Sequence, residues 1–453
     1  MTLPRFFTRT LALIFISAGW AAPLIAQVPN AEYAQRRAQL LTHGSDGLIL
    51  LKARSSEKEM EQPGWIQNAS FYYFTGLGDQ PAAILVLDGP ANETHLFVPP
   101  APLSFGVPVE NLSQTPGAES AAKWGLSTVR AWEEFSDFVQ TRIQDGVTKF
   151  YIEKPRRKEP TGTPPGMTAV TGRYFLWEQS LNKSFPEADI ESITPAIAEM
   201  RWVKSRAESD ILAKIAEMTT SALVAGIKAV EPGKTQREVE AAVLAGCLFA
   251  GAEGPSFWPL TMAGPNAHLA TAVRSFYDYE NLNRTMLDGE LVRMDIGCAA
   301  DNYGGDVGRT VPVSGSFSEE QSLAWNLLIT GYKAGLAAMR SGASVEDVSE
   351  ASRAAIRAIS QNTKNAAQRA IAEAMLDETS GVYWHIHGVG IEPGEAPGSL
   401  LSSGVVLAYE PMFSWKTDAY YLEDMILITD DGAVVLSAGL PYSSAEISAL
   451  MAN

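Results

Sequence analysis

Hydrophobic and polar positions in the first part of the chain alternate between short apolar runs and amphipathic stretches. Residues 33–41 have helical spacing, while residues 47–51 (GLILL) and 82–87 (AAILVL) are apolar runs of strand length. Residues 70–76 (SFYYFTG) are aromatic and are predicted to form another strand. Strands that alternate with helices are typical of an α/β domain, which we expect to span residues 27–195.

The second part of the chain has a different pattern. Residues 208–230, 318–338 and 345–359 carry apolar side chains at helical spacing. Residues 291–313 are predicted to form a strand pair, and most of the remaining sequence toward the C-terminus has the pattern of strands. This order of helices and strands predicts an α+β domain over residues 196–453.

The first 26 residues differ from both domains. Arg5 and Arg9 precede an uncharged apolar run over residues 11–22, and small residues follow as far as Ala26. This pattern is typical of a signal peptide cleaved near Ala26, and the alternative is a buried N-terminal helix. We therefore expect a secreted or periplasmic protein. No later stretch of the sequence has the pattern of a stable membrane span.

Composition indicates a globular protein. The chain has 453 residues, of which 46% are hydrophobic and 19% charged, and this length allows two or three domains with sizeable cores. Its formal net charge of −17 argues against nucleic acid or an anionic membrane surface as a partner.

The chain contains two cysteines, Cys247 and Cys298. An oxidising compartment would permit a disulfide between them, but two cysteines do not make a disulfide framework. Cys247 lies in a helical pattern and Cys298 follows an apolar strand, so we expect two separate buried thiols.

A pair of aspartates provides the first candidate chemistry. Apolar residues alternate with Asp295 in the strand LVRMDI, so that Asp295 points to the opposite face. The turn sequence DNYGG (residues 301–305) would bring the chain back antiparallel and place Asp306 on the same face. Two buried carboxylates repel each other, and a divalent cation between them relieves the repulsion. The alternative is a surface hairpin with solvated aspartates.

Further candidate ligands lie toward the C-terminus. His385 and His387 are two residues apart and share one face of a predicted strand, although such a pair is often structural. Glu410 and Glu423 each lie within or at the end of an apolar strand, where a carboxylate needs a partner. Together with the two aspartates, these residues would form an oxygen-rich site with imidazole, which suits Mn²⁺, Zn²⁺, Co²⁺ or Fe²⁺. Bridging carboxylates could hold two such ions.

The order and spacing of Asp295, Asp306, His387, Glu410 and Glu423 resemble the metal-ligand pattern of the pita-bread metallopeptidases. This family includes aminopeptidase P, prolidase and methionine aminopeptidase. The resemblance implies two divalent metal ions, with Mn²⁺ expected first, and implies that Asp306 and Glu423 bridge them. It also implies that Glu410 acts near the attacking water as a general base and proton shuttle.

The resemblance extends over nearly the whole mature chain. The segment SFYYFTGLGDQPAA is similar to the N-terminal domain of aminopeptidase P and creatinase, and RWVKSRAESD and VEPGKT resemble the family's entry into its catalytic domain. The implied fold is an α/β creatinase-like N-terminal domain followed by an α+β pita-bread catalytic domain.

Several positions depart from the family pattern. Thr271 and Gly394 stand where the family has histidines, Tyr421 replaces an arginine, and Gly308 replaces a threonine. These positions normally bind the substrate carbonyl and the developing oxyanion, and the loss of one such donor costs about 3 kcal/mol. We expect His385 as a catalytic substitute or an additional metal contact, and His268 and Tyr421 as substrate-binding substitutes. A packing role is the alternative for His385.

By this resemblance the protein is expected to be a metal-dependent exopeptidase of Xaa-Pro aminopeptidase or prolidase type that hydrolyses small peptides. One alternative is a metalloenzyme of the same fold that acts on a non-peptide substrate, as an amide hydrolase or a lyase. Another is a non-catalytic binding homologue, against which the complete set of ligands argues. A homodimer is expected by analogy.

Overall fold

The computed structural model describes residues 27–54, 67–100, 103–104, 107–108, 115–154, 173–268, 271, 283–395, 398 and 400–452. The predicted signal peptide, residues 1–26, lies outside the described residues. No helix within the described ranges is both long enough and apolar enough to cross a membrane.

The first part of the chain is a mixed sheet with helices, as predicted. Its six strands have the order β6-β3-β2-β1-β7-β8, with antiparallel pairing in β1–β2 and β2–β3 and parallel pairing in the other neighbours. The elements in chain order are α1 (Asn30–Leu41), β1 (Leu48–Lys52), α2 (Ala69–Thr75), β2 (Ile84–Asp88), β3 (Glu93–Val98), β4 (Leu103–Ser104), β5 (Val107–Pro108), α3 (Ala118–Trp124), β6 (Thr128–Ala131), α4 (Phe135–Gln144), β7 (Lys149–Ile152), α5 (Arg173–Ser184) and β8 (Asp189–Ser192).

The prediction of a strand over residues 70–76 is wrong, because this segment forms the helix α2. The Asn68 side chain accepts a hydrogen bond from the Phe71 backbone N–H at 3.0 Å and caps the helix. Gly76 ends it in the left-handed conformation with φ of 71°. All side chains from Ser70 to Thr75 are buried, so tertiary packing overrides the strand preference of the aromatic residues.

The second part of the chain contains an antiparallel sheet covered by helices. The sheet has the order β10-β11-β14-β17-β16-β15, and β18 pairs with β17. The elements are α6 (Thr194–Trp202), α7 (Arg206–Ala229), α8 (Gln236–Phe249), β9 (Gly254–Pro255), β10 (Leu260–Ala263), β11 (Leu291–Ile296), β12 (Cys298–Ala300), β13 (Tyr303–Gly304), β14 (Val307–Pro312), α9 (Glu319–Ala338), α10 (Val345–Asn362), α11 (Ala366–Met375), β15 (Tyr383–Gly388), β16 (Val406–Trp415), β17 (Asp418–Thr429), β18 (Gly432–Val435) and α12 (Ser444–Met451).

The predicted helices and the predicted strand pair of this part are confirmed, but some helices were not predicted. Helix α6 lies at the predicted domain boundary, and helices α11 and α12 lie where the sequence pattern was interpreted as mostly strand. Helices α11 and α12 are short, with 10 and 8 residues, and Asn365 and Ser443 cap them by accepting hydrogen bonds from backbone N–H groups. Helices of two to three turns give a weak periodic signal, which explains the omission.

The two faces of the seven-stranded sheet have different environments. Helices α7 and α8 pack against each other, as do α9 and α10, and α7 and α9 also contact the sheet. Met294 faces the helices, since a Cβ added to Gly226 of α7 would lie 3.4 Å from its sulfur atom. Tyr409 also faces them, because its hydroxyl lies 2.6 Å from the Ser352 hydroxyl of α10. Residues next to Met294 and Tyr409 along their strands therefore point to the opposite face.

The prediction of two separate thiols is wrong, because Cys247 and Cys298 form a disulfide. Helix α8 and strand β12 bring their Cα atoms to 5.5 Å, which is within the range that a disulfide spans. The pairing depends on how α8 lies relative to β12, and the local sequence carries no signal for that arrangement.

A buried cluster of charged residues supports the end of β15. Arg201 and Lys204 contact the Glu395 carboxylate, with distances of 2.5 and 3.0 Å between the charged atoms. The Glu395 backbone pairs with the Gly388 backbone through hydrogen bonds of 2.8 and 2.9 Å. Since His387 immediately precedes Gly388, this cluster fixes the strand end that carries a candidate ligand.

Candidate metal centre

The candidate ligands lie on the face of the sheet opposite the helices. In the sheet register Asp295 of β11 pairs with Gly308 of β14, and Gly308 pairs with Glu423 of β17. Asp306 lies two residues before Gly308 and therefore shares its face. Three neighbouring strands thus bring the carboxylates of Asp295, Asp306 and Glu423 to one face of the sheet, although Asp295 and Glu423 are 128 residues apart in the sequence.

The remaining candidates come from the next two strands. His385 of β15 pairs with Glu410 of β16. Along β16 and β17, Tyr409 pairs with Asp424 and Met412 with Tyr421, and this register places Glu410 opposite Glu423. The structure therefore brings the predicted ligands of the C-terminal segment together with Asp306.

His387 lies at the centre of the cluster. Its Nε2 atom is 3.2 Å from a Glu410 oxygen, 3.7 Å from an Asp306 oxygen and 3.8 Å from a Glu423 oxygen. Its Nδ1 atom lies 3.0 Å from the Gly388 carbonyl oxygen, to which it can donate a hydrogen bond. This contact fixes the tautomer in which Nε2 offers its lone pair to a metal ion.

Two carboxylate oxygens in the cluster are buried without a hydrogen-bond partner among the described residues. They are Asp306 Oδ1 and Glu423 Oε1. Burial and then the neighbouring carboxylates raise the pKa of Asp306 and of Glu423 well above the usual range. Ligand atoms of Asp306, His387 and Glu423 lie within 4.8 Å of one another, and so do those of His385, His387 and Glu410. Unpaired buried anions beside an imidazole nitrogen fit a divalent cation.

His387 also responds electrostatically to the carboxylates. Burial disfavours its charged form, but the hydrogen bond to Glu410 and the charge of Asp306 together raise the pKa of His387 to about 9. A metal ion that binds here must therefore displace a proton from the imidazole, as is general for metal sites with histidine ligands.

Glu410 is the most strongly ionised carboxylate of the cluster. Burial alone would raise its pKa, yet hydrogen bonds from His385 and His387 lower the pKa of Glu410 to about 2. One oxygen contacts His385 Nδ1, and the other lies 3.0 Å from the Tyr421 hydroxyl. The Tyr421 hydroxyl is also 2.6 Å from a Glu423 oxygen and can donate its single proton to either carboxylate.

Asp295 lies at the edge of the cluster and belongs to neither of the two ligand groups. Its carboxylate contacts the Arg293 guanidinium at 3.4 Å. Burial and, to a smaller extent, the Glu410 carboxylate raise the pKa of Asp295 to about 6, although the charge of Arg293 opposes the shift. Asp295 is therefore electrostatically linked to the other candidate ligands.

The predicted substrate-binding residues occupy different places. The His268 ring is 2.8 Å from the Thr417 carbonyl oxygen and lines a cavity beside the cluster, while its imidazole lies in neither ligand group. Tyr421 is fully buried and contacts the carboxylates directly. Gly394 lies in a different pocket, next to Arg201 and Glu395. Substrate contacts of His268 and Tyr421 stay predictions.

Sequence reasoning assigned no role to two buried charged residues, one on each face of the sheet. Arg293 is on the same face as Asp295, two residues earlier in a strand that is otherwise apolar. Asp424 is fully buried on the helix-covered face and pairs with Arg309 at 2.9 Å. In both cases a charge within an apolar strand was the available signal.

Two protein families match parts of this chain, and one match spans the strands that carry the cluster. Residues 210–430 match metallopeptidase family M24, and residues 33–149 match the aminopeptidase P N-terminal domain. The Xaa-Pro aminopeptidase of Haemophilus influenzae is 24% identical in an alignment that covers 94% of this chain and 98% of that protein. The Xaa-Pro aminopeptidase of Escherichia coli is 25% identical in an alignment that covers 94% of this chain and 99% of that protein.

A solved structure shows the same fold. Proline aminopeptidase P II from Yersinia pestis superposes with a TM-score of 0.74 at 22% identity, covering 94% of this chain and 100% of that one. The predicted arrangement of a creatinase-like domain followed by a pita-bread domain is thereby confirmed. Residues 210–430 form the metallopeptidase domain of this arrangement. With its N-terminal domain included, the chain belongs to the aminopeptidase P-type metallopeptidases.

Proposed function

We propose that this metallopeptidase is an Xaa-Pro aminopeptidase, which removes the N-terminal residue that precedes proline in small peptides. The observation that carries the proposal is the pair of buried, unpaired oxygens of Asp306 and Glu423 beside His387 Nε2 in a metallopeptidase domain. The names of the two Xaa-Pro aminopeptidase relatives support the choice of substrate.

Two divalent ions are proposed, with Mn²⁺ as the first candidate because the site is rich in carboxylates. Asp306, His387 and Glu423 would hold them, together with Glu410 and Asp295. When bound, such ions supply Lewis acidity that activates water and polarises the scissile carbonyl.

Glu410 is suited to accept the proton of the attacking water. It is ionised, and its two oxygens are held by His385 on one side and Tyr421 on the other. His385 has a partly exposed ring, so a proton taken up at Glu410 can pass through its imidazole to the leaving amine. Replacement of His385 by Ala should lower kcat on the order of 10²-fold without loss of metal, whereas the exposed His43 replaced by Ala should change neither. Unchanged kcat in His385→Ala would exclude the relay.

We also propose that the protein is secreted or periplasmic. The disulfide between Cys247 and Cys298 supports this location, because such bonds persist in oxidising compartments. The signal-peptide pattern of residues 1–26 supports it as well. A homodimer stays a prediction by analogy, and sedimentation of the mature chain tests it.

The decisive experiment is a peptidase assay of the mature chain from Gln27, stripped of metal and reloaded with Mn²⁺. Xaa-Pro dipeptides and Xaa-Pro-Yaa tripeptides should be cleaved, and Asp306→Asn should abolish cleavage. Asp301→Asn is the matched control, since Asp301 lies in the same hairpin but outside both ligand groups. If the protein binds two equivalents of metal and cleaves none of these peptides, the proposed substrate class is wrong.

A further inference from the structure

A cavity of about 430 Å³ adjoins the candidate metal centre. Its wall continues directly into the centre at three points. Arg293 precedes Asp295 by two residues, Met412 follows Glu410 by two, and the Tyr383 ring stacks on the His385 ring at 5.0 Å. A substrate that reaches the centre can therefore extend into this cavity.

The lining of this cavity favours a negatively charged group. Arg293 and His268 are among the residues that line it, and its described lining contains no carboxylate. A positive wall of this kind is complementary to the carboxylate at the C-terminus of a short peptide.

Arg293 is a buried cation with incomplete pairing. Its side chain is 8% exposed, its only ion pair among the described residues is the 3.4 Å contact to Asp295, and its Nε has no hydrogen-bond partner there. Asp295 is itself a candidate metal ligand, and coordination of a metal ion would weaken its ion pair with Arg293. A buried guanidinium that lacks full pairing is costly unless another anion completes it.

The position of Arg293 is fixed by two residues that depart from the family pattern. Its guanidinium carbon lies 4.0 Å from the centroid of the Tyr421 ring, a cation–π contact. The Tyr421 ring occupies the space that a side chain at position 308 would need, since a Cβ on Gly308 would lie 2.0 Å from a ring carbon. Arg293, Gly308 and Tyr421 thus act as one unit, on three neighbouring strands, that presents the guanidinium at the cavity wall.

We propose that Arg293 binds the C-terminal carboxylate of the substrate and so makes the enzyme selective for short peptides with a free C-terminus. The guanidinium is suited to this task because its planar donors match the two oxygens of a carboxylate. The inference rests on the proposed peptidase function for its substrate, but its test is a binding measurement.

The test compares two ligands that differ only at the carboxylate, the dipeptide Pro-Leu and Pro-Leu amide. Their affinities for the Mn²⁺-loaded mature chain are measured by titration calorimetry. The wild type should bind the free acid roughly 10- to 100-fold more tightly than the amide, as expected for a hydrogen bond to a charged group. Arg293→Met should bind both with the affinity of the amide, and Arg293→Lys should keep part of the preference.

A control distinguishes this role from simple charge balance at Asp295. If Arg293 only neutralised Asp295, Arg293→Met would weaken both ligands equally and leave their ratio unchanged, which would overturn the proposal. Arg206→Met, on the exposed surface of α7, should retain the wild-type ratio. If Arg293→Met does not fold, the ratio of the two affinities is measured in Arg293→Lys instead. An Arg293→Lys variant that keeps the full wild-type preference for the acid would contradict recognition by the planar guanidinium.

The outcomes also separate this inference from the proposed function. If the wild type binds the acid more tightly than the amide but cleaves no peptide, the carboxylate site is supported and the peptidase function is wrong. If the wild type cleaves Xaa-Pro peptides but binds the two ligands equally, or binds neither, the carboxylate site is wrong.

Discussion

Glu423 and Asp424 are adjacent buried carboxylates that point to opposite faces of the same strand. Asp424 accepts hydrogen bonds from Arg309, Tyr332, Ser437 and Tyr442 at 2.6 to 2.9 Å. Glu423 contacts the Tyr421 hydroxyl, but its Oε1 lacks a hydrogen-bond partner in the described part of the chain.

This difference in pairing indicates a structural role for Asp424 and a ligand-binding role for Glu423. A buried carboxylate that is fully paired contributes to the fold, whereas one that is left incomplete carries a cost that a bound cation can offset. The Asp424 side of the sheet is thus expected to stabilise the protein without metal, and the Glu423 side to depend on metal.

The largest effect is expected for the paired face. Asp424→Asn would leave the fully buried Arg309 without its counter-charge, which should lower the free energy of unfolding by about 3–5 kcal/mol. Urea unfolding of the metal-free protein measures this loss. If Asp424→Asn is as stable as the wild type, then the paired carboxylate of Asp424 does not stabilise the fold.

The matched change on the other face is Glu423→Gln. It should reduce kcat/KM by roughly 10²–10³-fold, about 3–4 kcal/mol, because a proposed metal ligand is removed. The free energy of unfolding of the metal-free protein should stay the same or rise, since a buried like charge disappears. Metal analysis and urea unfolding of the same preparation check both parts. Equal destabilisation by Glu423→Gln and Asp424→Asn would remove the distinction between the faces.

The pH dependence of stability provides a smaller contrast. Burial would raise the pKa of Glu395, but Arg201 and Lys204 lower it to about 2 from an ordinary value of 4.5. A lowered carboxyl pKa stabilises the fold above about pH 4.5, and the contribution is lost as pH falls toward 2. Two to three pKa units correspond to about 3 kcal/mol.

Glu395→Gln isolates this contribution. In urea unfolding of the metal-free protein, the wild type should exceed the variant by about 3 kcal/mol at pH 7, and the gap should shrink below pH 4. The contribution of Asp295 to stability depends on pH in the opposite direction. Its pKa is raised to about 6, so the penalty for burying its charge is relieved as pH falls below 6. A gap that is constant from pH 7 to pH 3 would contradict the assignment of Glu395.

The parts of this site that could be predicted depend on local patterns. Alternation along LVRMDI places Asp295 on the polar face, and the following turn returns Asp306 to it, so two ligands follow from a single hairpin. His385 and His387 share a face for the same reason. Which strands lie next to each other is set by long-range packing, so the order of β14, β17 and β16 was not predicted, and only the family resemblance implied that their carboxylates belong to one site.

Other features escaped the sequence because they depend on contacts between distant elements. The Cys247–Cys298 bond requires α8 to lie over β12, and the helix α2 depends on the burial of its aromatic side chains. From the sequence, Gly308 and Tyr421 were noticed only as two separate departures and Arg293 was missed, since the ring contact that joins the three residues crosses β14. A glycine in a strand is a signal of close approach, but it does not say what approaches.

The smallest effect is expected for a substitution at Gly308, which tests the close approach of the Tyr421 ring. Gly308→Ala should lower the free energy of unfolding by about 1–3 kcal/mol, because its Cβ would lie 2.0 Å from the Tyr421 ring and the ring must shift. The same shift would move the Tyr421 hydroxyl away from Glu410 and Glu423. In a Tyr421→Ala background the cost of Gly308→Ala should shrink, and the double-mutant cycle measures the coupling.

Gly254→Ala is the matched control for this substitution. Gly254 is also a buried strand glycine, but a Cβ there would meet no atom of the described residues within 4 Å, so the change should alter stability by no more than about 0.5 kcal/mol. If Gly308→Ala and Gly254→Ala behave alike, or if Tyr421→Ala fails to relieve the cost at position 308, then the ring does not depend on the missing side chain. In that case the position of the Tyr421 ring would be set by its contact with Arg293 and by its hydrogen bonds to Glu410 and Glu423, and not by the absence of a side chain at position 308.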